Sequence, residues 1–183
     1  YSSAASDVYK RQLHHYASGT YTPIDPTSVG KSEFFKSHES EKWAVIADTR
    51  GTLVWPETDD KNRLCLVSEL APREYLDYLK KNGISYIAVG KKSIDLKEAV
   101  RILETEFGSK RIGVVGGGHI NGSFLEAGLI DEVSMVYGAG IDGRSSQPTA
   151  FEGIPESHTV PYKLTLQSVE KVADQSVWIR YTV

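Results

Sequence analysis

Val114-Val115-Gly116-Gly117-Gly118-His119-Ile120-Asn121-Gly122, continued by Ser123-Phe124-Leu125-Glu126-Ala127-Gly128-Leu129-Ile130-Asp131-Glu132-Val133, is the stretch on which the fold turns. An apolar run ends in three glycines, a short helical segment stops at Gly128, and a second apolar run follows. Glycine at a strand-to-helix junction lets the backbone approach a ligand, because no Cβ intervenes. The helix N-terminus beyond it offers unpaired N–H groups and the positive end of the helix dipole, which suit a phosphate. Gly116, Gly117 and Gly118 are therefore expected to cradle a phosphate-bearing ligand, a dinucleotide being the first candidate. His119 can meet a phosphate through backbone or ring, and Asn121 caps or ties down the turn. The spacing is not G-x-G-x-x-G, and the acidic residue expected after the next strand is missing. Close helix–sheet packing is the competing explanation of the glycines.

Upstream, strands and helices alternate. Pro23 and Pro26 impose an extended loop after a short helix end and loop over Leu13 to Tyr21. Ser28 to His38 reads as a helix with Phe34 and Phe35 turned inward. Trp43 to Ala47, Arg63 to Val67, Ser85 to Val89 and Ile112 to Val115 read as strands, with a fifth at Glu132 to Tyr137. Pro72 to Lys81 is a helix with proline in its first turn, stopped by Asn82-Gly83. Asp95 to Phe107 is the clearest helix: Asp95 caps it, and Leu96, Ala99, Val100, Leu103 and Phe107 keep helical spacing ahead of Gly108. The alternation predicts an α/β fold with right-handed crossovers and a mainly parallel sheet flanked by helices. Lys163 to Val169 and Ser176 to Val183 alternate in polarity and predict a C-terminal antiparallel hairpin. Pro148 to Pro161 is an irregular loop long enough to be functional.

Ligands of open α/β sheets bind beyond the carboxyl ends of the strands. Asp48-Thr49-Arg50-Gly51 stands at one such end, where Asp48 and Arg50 could grip a polar, phosphorylated substrate. An ordinary Asp/Gly turn explains the same residues. Gly90 and Lys91 stand at another end. Lys91 and Lys92 could neutralise a 2′-phosphate and so favour NADPH over NADH, or form a solvated pair. Ser68 ends a third strand and is, with Thr49, Gly90 and Lys91, a further candidate for binding the cofactor. The five histidines show no metal-ligand spacing, so no metal is expected. No Ser–His–Asp or Cys–His arrangement supports covalent catalysis.

The 183 residues carry a formal net charge of -3, with 40% hydrophobic and 25% charged residues. Such a balance gives no electrostatic case for nucleic acid or an anionic membrane. The single cysteine, Cys65, excludes an internal disulfide, agrees with a reducing, cytoplasmic compartment, and reads as a small buried hydrophobe. Residues 1–12 are small and polar and read as a disordered or non-native tail, leaving residues 13–183 for one domain.

Gly116-Gly117-Gly118-x-x-Asn121-Gly122 with Phe124-Leu125-x-Ala127-Gly128-Leu129-Ile130-Asp131-Glu132 resembles the reductase domain of the bacterial bifunctional riboflavin-biosynthesis deaminase–reductase and its stand-alone relatives. Trp43 to Trp55 with Asp48-Thr49, Ser85 to Gly90 with Asp95-Leu96, and Ile141-Asp142-Gly143 are similar as well. The resemblance implies a dihydrofolate-reductase-like fold and hydride transfer from NADPH to a ribosylaminopyrimidine phosphate. It implies that Gly116, Gly117, Gly118, Ile120 and Asn121 hold the cofactor pyrophosphate. It also implies that Asp48 faces the substrate, as the candidate catalytic group, and that Thr49 lies near the nicotinamide. A small-molecule substrate and a homodimer built on the terminal hairpin are the implied partners. Two features depart from the family: Val115 stands where many members carry a glutamate, and no strand ending in Ser-x-Asp-Gly precedes His14. The domain is thus expected to lack its usual first strand. A dihydrofolate- or pteridine-type reductase, and a nucleotide-binding domain without turnover, are the alternatives.

Overall fold

The structure, a computed structural model, describes residues 19–57, 62–141, 143–144, 147–173 and 175–183. The expected tail at 1–12 and Asp142 lie outside the described residues. The chain falls into two compact units, one built from Leu13–Ile112 and the other from Gly113–Val183.

The first unit carries β1 (Gly19–Thr20), β2 (Glu33–Phe35), β3 (Ala44–Ala47), β4 (Leu53–Val54), β5 (Arg63–Val67), α1 (Arg73–Lys81), β6 (Ser85–Ala88) and α2 (Leu96–Thr105). Four strands form a sheet in the order β2-β6-β5-β3, while β1 pairs with β4. The pairs β3–β5 and β5–β6 are parallel and β2–β6 is antiparallel, so the sheet is mixed around a parallel centre. Every residue of β5 and β6 is buried, as befits strands covered on both faces. The period of two sorts their side chains. Cys65, Val67, Tyr86 and Ala88 pack with Tyr75, Leu76 and Leu79 of α1. Leu64, Leu66, Ile87 and Val89 pack with Ala99, Ile102 and Leu103 of α2 and with Phe107. Helix α1 begins after Pro72 and stops at Asn82, with Gly83 at φ 66°. Asp95 caps α2 by accepting from the Glu98 N–H at 3.1 Å.

Three expectations are corrected, two within this unit and one at Ile112 to Val115, where the second unit begins. Ser28 to His38 is not a helix: Glu33–Phe35 is an edge strand on β6. Alternation sends Phe35 to the core and Phe34, 44% exposed, toward the Phe107 ring. Cross-strand pairing here outweighs a helical spacing of only two aromatics. Gly19–Thr20 is a strand on β4 where a loop was expected, and the helix end expected before it lies outside the described residues. Ile112 to Val115 forms no strand; Val115 is 81% exposed. A strand exists only through a ladder partner, and none is made here among the described residues.

The second unit carries α3 (Gly118–Glu126), β7 (Glu132–Tyr137), β8 (Thr165–Val172) and β9 (Ser176–Thr182). Its sheet has the order β7-β9-β8 and is antiparallel throughout. The expected hairpin is present as β8–β9, with Ala173 at φ 57° where the chain reverses. The fifth expected strand, β7, pairs antiparallel with β9 rather than extending the parallel set. Gly128, at φ 67°, ends α3 as its sequence position predicts.

Candidate active site

Parallel pairing carries the ends of β3, β5 and β6 to one edge of the first unit's sheet. Asp48, Thr49, Ser68 and Gly90, expected separately from the sequence, meet there through the backbone. Ser68 N–H and Oγ both donate to the Thr49 carbonyl, at 3.0 and 2.7 Å, and Glu69 N–H donates to the Gly90 carbonyl at 2.8 Å. Ser68 is fully buried, so it shapes the turn by way of Thr49. Gly90, at φ 88°, is required by close approach: a Cβ there would stand 2.1 Å from the Ser93 carbonyl oxygen. Lys91 and Lys92 are exposed.

Asp48 is only 7% exposed and is the hub of its turn. Its Oδ2 accepts from Thr52 N–H at 2.7 Å, Leu53 N–H at 2.9 Å and the Tyr75 hydroxyl at 2.9 Å; Oδ1 accepts from Thr52 Oγ1 at 3.1 Å. Four bonds in and none out among the described residues describe a fixed acceptor. The turn closes with Gly51 N–H on the Asp48 carbonyl at 2.9 Å. Arg50 is exposed beside it. Ala47, Asp48, Thr49, Arg50, Thr52 and Leu53 line an open recess of about 360 Å³. Behind Asp48 lies a polar chain absent from the sequence reading. The Trp55 indole Nε1–H donates to the Tyr75 hydroxyl at 2.9 Å, and the Trp55 backbone N–H donates to the Tyr78 hydroxyl at 2.9 Å. Burial, then the nearby Cys65 and Asp48, hold the Tyr75 phenol protonated well above the ordinary tyrosine range. Burial likewise pushes the Cys65 thiol up, so the cysteine is an inert core group, as expected.

In the second unit the glycine run divides into two parts. Gly117 is the N-cap of α3 and no side chain caps the helix. Among the described residues the N–H groups of Gly118, His119 and Ile120 have no hydrogen-bond partner, and Asn121 N–H is the first to bond back, to the Gly117 carbonyl at 3.1 Å. Three convergent, unpaired donors at the positive end of a helix suit a phosphate. Gly118, besides its free N–H, and Gly122 also serve packing. The loop Thr149–Gly153 lies against them so closely that a Cβ would stand 2.6 Å from the Thr149 carbonyl oxygen at Gly118 and 2.0 Å from the Glu152 carbonyl oxygen at Gly122. Glu152 N–H donates to the Gly118 carbonyl at 2.8 Å, and Asn121 Nδ2 donates to the Ala150 carbonyl at 2.8 Å. Asn121 thus ties down the turn and does not cap the helix. His119 is exposed, with Nε2 3.5 Å from Glu152 Oε2. The irregular Pro148 to Pro161 loop supplies this strap.

These are the parts of an α/β protein whose polar groups gather on strand ends and on a glycine-led helix N-terminus. The RibD C-terminal domain family matches residues 17–178, and the chain belongs to that family. A 2,5-diamino-6-ribosylamino-4(3H)-pyrimidinone 5′-phosphate reductase of Archaeoglobus fulgidus is 27% identical over 168 residues, covering 85% of this chain and 73% of the relative. The Aquifex aeolicus protein of the same name is 29% identical over 96 residues, 52% of this chain and 42% of the relative. The riboflavin biosynthesis protein RibD of Chlamydia trachomatis is 25% identical over 115 residues, with 30% of its length covered. Among solved structures, a pyrimidine reductase-like protein of Corynebacterium diphtheriae superposes with a TM-score of 0.62 at 16% identity, over 75% of this chain and 59% of that one. Acinetobacter baumannii RibD gives 0.57 at 22% identity, over 75% and 36%. These likenesses show the dihydrofolate-reductase-like fold that the resemblance implied. The chain spans well under half of the RibD relatives it matches. No helix among the described residues is long and apolar enough to cross a membrane.

Proposed function

We propose that this chain is a nicotinamide-dependent reductase of riboflavin biosynthesis, acting on a ribosylaminopyrimidine 5′-phosphate and preferring NADPH. Membership of the family across residues 17–178 carries the reading. The three unpaired N–H groups at the start of α3 fit a nucleotide phosphate. In this reading Gly116, Gly117, Gly118, His119, Ile120 and Asn121 form the pyrophosphate turn. Thr49, Gly90 and Lys91 serve the cofactor at the strand ends, and Lys91 meets the 2′-phosphate. The bound cofactor supplies the hydride. Asp48 receives a hydroxyl or amino donor of the substrate, and Arg50 meets its phosphate. With four donors already on its carboxylate, Asp48 is the anchor of the substrate rather than a proton source.

The test is loss of the near-ultraviolet absorbance of NADPH on adding the diaminopyrimidinone ribosyl phosphate, with NADH in parallel. The expected result is oxidation with NADPH and slower oxidation with NADH. A thermal transition raised by NADPH, without oxidation of it by this substrate or by dihydrofolate, would favour nucleotide binding without turnover. A transition unmoved by either cofactor would sink the reading.

A further inference from the structure

Asp48 cannot orient itself. Its turn has an open recess on one side and a buried polar chain on the other, and the second fixes what the first presents. Tyr75 contributes twice. Gly51, at φ 71°, lies directly on the Tyr75 ring: a Cβ on Gly51 would stand 2.5 Å from Cδ1 and 2.9 Å from Cγ. The Tyr75 hydroxyl donates to Asp48 Oδ2 at 2.9 Å and accepts from the Trp55 indole at 2.9 Å. Trp55 is 5% exposed and Tyr75 fully buried, so water cannot replace either bond. An indole N–H can only donate, and it therefore sets the direction in which the phenol donates. Oδ2 is saturated by three donors, while among the described residues Oδ1 receives only the Thr52 hydroxyl.

We propose that Tyr75, oriented by Trp55, is the positioning residue that saturates Asp48 Oδ2 and leaves Oδ1 as the acceptor for a hydroxyl or amino donor of the substrate. This rests on the reading of the recess as the substrate site. It makes the site selective for a ligand with a hydrogen-bond donor, such as a sugar hydroxyl or a ring amine, since an acceptor there would face a carboxylate oxygen. No covalent step is assigned to Tyr75.

The test is a double-mutant cycle on the full chain. Tyr75→Phe keeps the ring under Gly51 and deletes only the hydroxyl. It is expected to raise KM for the diaminopyrimidinone ribosyl phosphate about tenfold, leaving kcat and the NADPH Kd within about twofold. Asp48→Asn is expected to raise KM further, and adding Tyr75→Phe to it to change little more, because the positioned group is gone. Trp55→Phe, as a second variant, should shift KM in the same direction by less. Thermal melts establish that each variant is folded. A purely structural tyrosine would give multiplicative effects in the cycle and overturn the proposal, as would wild-type kinetics in Tyr75→Phe. If the unmodified chain binds NADPH but neither binds nor reduces the pyrimidine in calorimetry and turnover, the functional reading falls, and the substrate role of Asp48 with it. Normal wild-type turnover with additive variants sinks the positioning claim alone.

Discussion

Gly51 shows how one residue can serve turn geometry and site geometry together. Its φ of 71° is strained for any side chain, and its Cα rests on the Tyr75 ring. Gly51→Ala adds a left-handed penalty of about 1–2 kcal/mol and a clash with a ring that cannot leave the core. We expect denaturant unfolding of that variant to show a loss of about 2–4 kcal/mol, against about 1–2 kcal/mol for Gly83→Ala, whose φ of 66° carries the same penalty but where nothing lies near a Cβ. A loss at position 51 no larger than at 83 would mean that the turn moves off the ring. Candidate residues at this scale were visible in the sequence because Asp, Arg and Gly at a strand end are rare enough to notice. Tyr75 and Trp55 were not, because a buried tyrosine on an amphipathic helix reads as core. Only distance to the Asp48 carboxylate distinguishes its hydroxyl from any other.

At the scale of elements, α3 and its strap explain glycines that a ligand alone would not. Replacing glycine by alanine inside an exposed helix stabilises by about 0.5–1 kcal/mol. At Gly122 the sign should reverse. The Cβ would meet the Glu152 carbonyl oxygen at 2.0 Å, so the loop must part from the helix. Gly122→Ala is expected to lose about 2 kcal/mol in denaturant melts and to raise the hydrogen exchange of Glu152 N–H, which is bonded to the Gly118 carbonyl. A stabilised variant would show that the strap is not seated. Packing and ligand therefore overlap at Gly118: the loop packs on Gly118 and Gly122, a helix–loop contact where a helix–sheet contact was expected, while the N–H groups of the first turn, that of Gly118 among them, carry the ligand reading.

At the scale of the whole molecule, acid stability gathers several elements into one measurable quantity. Glu33 on β2 takes a bidentate pair from Arg73 at the start of α1, at 2.7 and 2.9 Å, and the Tyr86 hydroxyl of β6 at 2.7 Å. The Arg73 bonds hold the Glu33 carboxyl below its ordinary value, against the opposing effect of burial. A depressed carboxyl pKa stabilises the folded state above the unfolded pKa, about 4.3, and that stability is lost as pH falls through the folded value. Chemical unfolding from pH 7 down to pH 3 should show Glu33→Gln about 1–2 kcal/mol less stable at neutral pH, with the gap closing below about pH 4. A gap unchanged with pH would mean that the ion pair is not its source.

The sequence by itself determined the elements whose signals are local. Arg63–Val67, α1, α2 and β7 follow from periodicity, caps and glycine stops, because those signals come from each segment's own side chains. Family membership was equally legible, since the glycine–asparagine run and Ala127-Gly128-Leu129-Ile130-Asp131-Glu132 are contiguous. Tertiary structure decided everything that depends on a partner. Glu33–Phe35 became a strand because β6 offered an edge, and Ile112 to Val115 did not because no ladder was available to it among the described residues. Asp48 became a fixed acceptor because Thr52, Leu53 and Tyr75 converge on it. Hydrogen bonds between residues 27 positions apart leave no periodic trace along a chain, so only the folded arrangement can reveal them.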